Sequence, residues 1–265
     1  MDNAAVDYCA DYLRRHDPDR YLLSLFARSR SLPALWALYS FAHEIAKTRD
    51  VVTETRLGLI RLQWWRDAIG AIYEGGQVPD HQILRVLAPA IRQHSLPRDL
   101  FDAVVYAHEF DLEDQVPATF DGLVNYADFT TTPLLRLASL VDLAHEDVAS
   151  LRATALQYGL AKILVNVRRH AAQRRCYLPL DMLDRAGIGP YDIYDGSAAG
   201  RLAPVVLAIL ERRKTAPSSR HVHKHLAEMY FERIEKLNGD VFSSAMNRPL
   251  PFKEIRLWLR NNIKI

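Results

Sequence analysis

Apolar residues recur at helical spacing along nearly the whole chain, and no run alternates apolar with polar residues between hairpin turns. A chain with that pattern can bury its apolar stripes by packing helix on helix, so the expected fold class is all-α. Leu35, Leu38, Tyr39, Ala42, Ile45 and Ala46 form one stripe. A second runs through Leu57, Ile60, Trp64, Ala68, Ala71 and Ile72, a third through Phe101, Val104, Val105, His108 and Leu112, and a fourth through Leu226, Tyr230, Ile234 and Leu237. Between the stripes stand Gly75-Gly76, Pro97, Pro117, Gly187 to Pro190 and the segment Thr215 to Ser219, residues that end helices. No linker is long or polar enough to divide the chain, which is therefore expected to form one domain, 1–265.

Composition narrows the function classes. The chain has 265 residues, 49% hydrophobic and 25% charged, ordinary for a globular protein with a real core. Its formal net charge of only +2 argues against nucleic acid as a partner, while ten histidines make that charge sensitive to mild acid. Cys9 and Cys176 match neither a disulfide framework nor a zinc spacing, so both are expected to be free thiols in a reducing compartment. The N-terminus MDNAAVDYCADYLRRHDPDR reads as neither a secretory signal nor a transit peptide. No window reaches the ~20 apolar residues of a membrane span. The expected location is the cytoplasm, with any membrane contact peripheral. The final stretch PFKEIRLWLRNNIKI places Phe252, Ile255, Trp258, Leu259 and Ile263 nearly on one helical side. That side is expected to dock on the body; the alternative is a surface helix that touches a membrane or a partner.

Several constellations carry polar chemistry. In YGLAKILVNVRRHAAQRRCYLP, Asn166 and His170 stand four apart and so share a helical face with Lys162 and Ile163, a spacing that suits two groups gripping one ligand. An amide and an imidazole beside Arg168 and Arg169 hold Mg²⁺ poorly, because that ion prefers hard anionic oxygens. The same two residues also suit polar crossings between packed helices. Arg61, Trp64, Trp65, Arg66 and Asp67 are expected to pack, Trp64 inward, Trp65 at a helix seam and Arg66 with Asp67 or Glu44, rather than to form a cation–π surface. His108, Glu109, Asp111, Glu113 and Asp114 read as a solvated face, and His221, His223 and His225 as side chains that do not converge on zinc. Thr130, Thr131 and Thr132 line a cleft or bond back within a helix. No HExxH, CxxC, GxSxG, P-loop or GxGxxG stands at a suitable place.

Two segments together resemble the squalene/phytoene synthase family: SLPALWALYSFAHEIAKTRD with the following RLQWWRDAI, and the later RRCYLPLDMLDRAGI. The resemblance implies an isoprenoid-synthase-like helical bundle. It also implies two aspartate motifs whose carboxylates hold the Mg²⁺ ions that bind and ionise prenyl diphosphates. At the matching positions this chain carries Ala46, Lys47 and Asp50 in the first motif and Asn166 and His170 in the second. Only Asp50 keeps a carboxylate. Lys47 about 4 Å from a divalent ion would cost roughly 8 kcal/mol at an effective dielectric of 20. Because diphosphate ionisation leans on metal charge at the leaving group, the synthase reaction is expected to be absent. Tyr39, and Arg175, Tyr177 and Asp181 of the RxYLPxD part, match positions that the family places beside the diphosphate.

A narrower resemblance rests on ALYSFAHEIAKTRD, IRLQWWRDAI, AHEFDLED, YADFTTTPLLRL and VRRHAAQRRCYLPLD. These segments are similar to the catalytically degenerate branch of the family, which serves assembly of respiratory complex I. The expected function is thus a non-catalytic assembly or interaction factor whose partners are respiratory complex I subunits or assembly intermediates, at the inner face of a bacterial membrane. No cofactor is expected. A vestigial cleft with Tyr39, Lys47, Asp50 and Lys162, together with Asn166, His170, Arg175 and Tyr177, is expected to bind an anionic isoprenoid or phospholipid. The alternatives are a lipid-binding module without an assembly role, and an active Mg²⁺-dependent prenyl-diphosphate enzyme that uses Asp50 with Glu44, Asp67 or Glu109.

Overall fold

A computed structural model describes residues 2–142, 147–213 and 221–262, and every regular element among them is a helix. The all-α expectation therefore holds. The described residues group into two compact units, one from Met1–Glu113 and Thr132–Asp147, the other from Asp114–Thr131 and Val148–Ile265. The loop expected over 214–219 and the side chain of Ile263 lie outside the described residues.

The first unit begins with α1 (Asn3–His16), whose orphan N–H groups are met by the Asp2 carboxylate, and α2 (Pro18–Ser24), capped by Asp17 with proline in the first turn. Next comes α3 (Leu32–Ala46), and ten of its fifteen residues are buried. A helix apolar around most of its circumference belongs at the centre of a unit. Accordingly, α1 and α6 (Gln82–His94) both pack on α3. Between them in sequence lie the short α4 (Thr48–Val51) and the long α5 (Thr55–Glu74), which packs on α7 (Arg98–Ala107). The first and third sequence stripes face this core as expected.

The second stripe does so only in part. Leu57, Ile60 and Trp64 are exposed while Ala68 and Ile72 are buried, and Leu62, Trp65 and Ile69 make up the rest of the buried face of α5. Trp64, expected inward, is 40% exposed, whereas Trp65 sits at a helix seam as expected and is 2% exposed. The reason is complementarity: Trp65 sets its edge against the Phe41 ring of α3 at 5.4 Å, and Gly58 on the same face lets Leu112 approach the backbone. Arg66 pairs with Glu109 at 2.6 Å rather than with Asp67 or Glu44, and Asp111 is buried against His108 at 2.7 Å. The acidic run is thus engaged at Glu109 and Asp111, while Glu113 and Asp114 are exposed.

The second unit holds the N-terminal part of α8 (Phe120–Asp142), then α9 (Val148–Val165), α10 (Val167–Ala172), α11 (Leu180–Arg185), α12 (Pro190–Tyr194) and α13 (Ala203–Arg212). It ends with α14 (Val222–Lys236) and α15 (Lys253–Asn262). Ten residues of α9 are buried, and its main partner is α14. Close approach matters here, since a Cβ on Gly159 would stand 2.7 Å from Thr131 Oγ1 and 3.1 Å from the Ala127 carbonyl oxygen. Thr130 bonds back to the Tyr126 carbonyl oxygen at 2.8 Å, one of the two roles expected for the threonine run. His221 and His223 meet, their Nδ1 atoms 3.0 Å apart, but His225 faces Glu228 at 3.6 Å, so the three histidines do not converge. The expected docking of α15 is likewise reversed: Leu257 turns inward while Phe252, Ile255, Trp258 and Leu259 face outward.

Candidate functional site

The residues singled out from sequence fall in both units. Tyr39, Lys47 and Asp50 belong to the first, and Lys162, Asn166, His170, Arg175 and Tyr177 to the second.

In the first unit the end of α3 gathers a charged cluster. Glu44 is buried in the last turn, and its two carboxylate oxygens accept from Lys47 Nζ at 2.6 Å and Arg61 Nη2 at 2.5 Å. Lys47, three residues on, caps the helix and also donates to the Tyr12 hydroxyl at 3.0 Å. That hydroxyl lies 2.8 Å from His43 Nδ1, and the ammonium stands 5.2 Å from the Tyr12 ring centroid. Burial alone would raise the Glu44 pKa, but hydrogen bonds from Lys47 and Tyr12 and the nearby Arg61 charge overcome it and hold the carboxylate below its usual range. His43, desolvated and ringed by Arg20, His16 and Lys47, is pushed down to about 4 and so is neutral at pH 7. Burial raises the Tyr12 and Tyr39 hydroxyls. Tyr39 is buried with the Arg20 guanidinium 6.0 Å from its ring centroid, while Asp50 is exposed on α4.

In the second unit the helix carrying Asn166 and His170 is interrupted. Asn166 has φ −102° and ψ 8°, between the end of α9 and the start of α10, and its Nδ2 donates to the Lys162 carbonyl oxygen at 2.7 Å. One donor of the amide is thereby spent on its own helix. His170 meets the Tyr177 ring edge-to-face at 4.8 Å, and Tyr177 in turn stacks on Tyr126 at 4.7 Å. His170 and Tyr177, together with Arg175, Cys176 and Ile163, line a hollow of about 10 Å³. That is room for about one water molecule. The structure thus brings His170, Arg175 and Tyr177 together around this hollow, while Asn166 and Lys162 are linked through their own helix. Cys9 and Cys176 are free and buried, as expected, and burial lifts their thiols to about 12 and about 11, which leaves both inert.

Sequence reasoning marked Lys47, Glu44 and Arg61 separately but not their pairing. The i, i+3 spacing of Glu44 and Lys47 was a usable signal. Nothing local joined Tyr12 or Arg61 to them, because each arrives from another helix.

Comparison with known proteins gives the family. The squalene/phytoene synthase family profile matches residues 13–229. The chain belongs to the squalene/phytoene synthase family. Among curated relatives it is similar to the NADH dehydrogenase (ubiquinone) complex I assembly factor 6 of Bos taurus, 26% identical with 96% of this chain and 81% of the relative covered. The Homo sapiens protein of that name is 25% identical over the same shares. A presqualene diphosphate synthase of Rhodopseudomonas palustris is 28% identical, over 71% of this chain and 70% of its own length. Among solved structures, a dehydrosqualene synthase in complex with ligand superposes with a TM-score of 0.73 at 15% identity, covering 96% of this chain and 94% of that one. A squalene synthase from Alicyclobacillus acidocaldarius gives 0.68 at 18%, covering 97% and 89%. These neighbours share the family's all-α isoprenoid synthase fold.

The family resemblance implies Mg²⁺ at the first and second motif positions, and the residues here do not fit it. Ala46 offers no donor, and Lys47 brings a positive charge to the place of a carboxylate. Glu44, the buried acid nearby, already holds two internal cations. Two other carboxylates are engaged as well, Glu109 with Arg66 at 2.6 Å and Asp67 with the Gln63 amide at 2.7 Å. Among the described residues, no group of three or more His, Cys, Asp or Glu side chains could hold a metal ion.

Proposed function

We propose that this chain is a non-catalytic member of its family that acts as an assembly or interaction factor for respiratory complex I, placed peripherally at the inner face of a bacterial membrane. The observation that carries the reading is the Glu44 cluster: Lys47 and Arg61 supply from within the chain the positive charge that family chemistry draws from Mg²⁺. A fixed internal ammonium neutralises the acid but cannot follow a diphosphate leaving group. The named assembly-factor relatives, which match across 96% of this chain, support the role. Deleting the gene and measuring assembled NADH dehydrogenase tests it. Reduced complex I is expected, and unchanged levels would remove the assembly role.

The finer part of the reading concerns a ligand. From Lys162 to Arg175 the chain carries five Lys and Arg and no Asp or Glu, which favours an anion beside Arg175 and Tyr177. In this reading Lys162, Asn166 and His170 complete the residues that the second unit retains for an anionic isoprenoid or phospholipid headgroup. Extraction of the purified protein followed by mass spectrometry is expected to recover such a lipid, and an empty extract would sink this part. Incubation with farnesyl diphosphate and Mg²⁺ separates the reading from an active synthase: pyrophosphate release abolished by Asp50→Ala would favour the enzyme.

A further inference from the structure

We infer that the outward face of α15 is a docking surface for an anionic lipid bilayer. The roll of this helix is fixed from within the second unit. Leu257 is fully buried, and Arg256 and Arg260 donate to Glu232 of α14 at 2.9 and 2.6 Å. With those three residues holding one side, Ile255 and Trp258, three apart, must point the opposite way, and Leu259 lies on the flank. Phe252, immediately before the helix, joins them. Phe252 is 74% exposed, Ile255 58% and Trp258 56%. Four large apolar side chains on one short helix expose on the order of 400 Å², a contiguous patch that a protein seldom leaves bare without use.

Charge and size select the occupant. Arg256 and Arg260 are engaged with Glu232 on the inner side, and the basic residues beside the patch are Arg248 and Lys253 against the single acid Glu254. The patch is about half the ~800 Å² per partner that a stable protein interface buries. A bilayer needs no matching surface: aromatic and aliphatic side chains enter the headgroup boundary while flanking Lys and Arg meet anionic lipid. Among the described residues no helix is long and apolar enough to cross a membrane, so contact of this kind is interfacial. The inference deepens the peripheral placement proposed above and rests on it.

The test is sedimentation of the full chain with sucrose-loaded vesicles of 30% phosphatidylglycerol in phosphatidylcholine, against vesicles of phosphatidylcholine alone. Binding to the anionic vesicles is expected, weakening as salt rises. Phe252→Ser with Trp258→Ser should reduce it at least tenfold with thermal unfolding unchanged, because neither side chain is buried. Lys253→Gln should weaken it about fivefold, the share of one basic group near an anionic surface. Equal binding by the double variant, no binding to either vesicle, or a wild-type dimer that the double variant dissociates would each overturn the inference. Vesicle binding with normal complex I in the deletion strain would sink the assembly role and leave this surface standing. A complex I defect without vesicle binding would do the reverse.

Discussion

Glu44 shows how one buried acid can organise a neighbourhood. It is held by two cations that are themselves only partly exposed, so removing the acid leaves Lys47 and Arg61 facing each other across a desolvated gap. Glu44→Ala is expected to lower stability by about 2–3 kcal/mol, somewhat under the cost of breaking a fully buried pair, as measured by urea unfolding. The pH dependence follows from the same cluster. His43 has a folded pKa of about 4 against an ordinary 6.5, so its contribution is fully present above 6.5 and is lost as pH falls towards 4. Glu44, held below its usual range, adds a further loss at lower pH still. Unfolding free energy should therefore fall from pH 6.5 downwards, by no more than about 1.4 kcal/mol per pH unit for each proton. His43→Gln should flatten the slope between 6.5 and 4, and an unchanged slope would contradict the neutral, buried imidazole. At this scale the sequence exposed half of the arrangement. Lys47 stood out as a charge of the wrong sign in a motif, and its spacing from Glu44 was local. The pairing of Tyr12 and Arg61 with them was silent because that proximity is made by helix packing.

At the scale of elements, periodicity gave helix type and failed where two faces of one helix were both apolar. On α5 the stripe through Leu57, Ile60 and Trp64 and the stripe through Leu62, Trp65 and Ile69 are each plausible core faces by hydrophobicity. What chose between them was shape, namely the edge-on fit of Trp65 to Phe41 and the absence of a side chain at Gly58. Two glycine substitutions probe such contacts in contrast. In Gly159→Ala the new Cβ meets the Thr131 hydroxyl at 2.7 Å and a carbonyl oxygen of Ala127 at 3.1 Å, and backbone cannot swing aside. A loss of about 1–3 kcal/mol is expected, only partly relieved by adding Thr131→Ala. In Gly58→Ala the obstruction is the tip of Leu112, a side chain able to change rotamer. The cost there should be under about 1.5 kcal/mol, offset in part by the better helix propensity of alanine. Equal losses in thermal melts of the two variants would show that the α8–α9 approach is looser than drawn. The break at Asn166 had no sequence signal, since an asparagine inside a long apolar-faced run reads as helix until its amide is seen bonding to the Lys162 carbonyl oxygen.

For the molecule as a whole, the family's helical fold is kept across 96% of the chain against the dehydrosqualene synthase while the donors at its motif positions have changed kind. Fold and chemistry separate in this way because the fold rests on dozens of buried apolar side chains, whereas a metal cluster rests on a few carboxylates. The balance has a thermodynamic consequence that needs no substrate. Any ligand bound by the native state alone raises stability by RT ln(1 + [L]/Kd), about 2.7 kcal/mol at a concentration one hundred times Kd. A working Mg²⁺ site with Kd near 50 μM would reach that ratio at ~5 mM and shift Tm upward by several degrees for a chain of this size. With Lys47 and Arg61 already neutralising Glu44, and an amide and an imidazole at the second motif, MgCl₂ with pyrophosphate should move Tm by less than about 1 °C beyond a control of matched ionic strength. EDTA should leave it unchanged. In Lys47→Asp the internal cation is removed and a carboxylate restored, yet Ala46, Asn166 and His170 still withhold donors, so Tm should fall and Mg²⁺ should recover little of the loss. A rise of several degrees in the unaltered chain, saturating with Mg²⁺ and reversed by EDTA, would mean that ions gather here on ligands other than the motif residues.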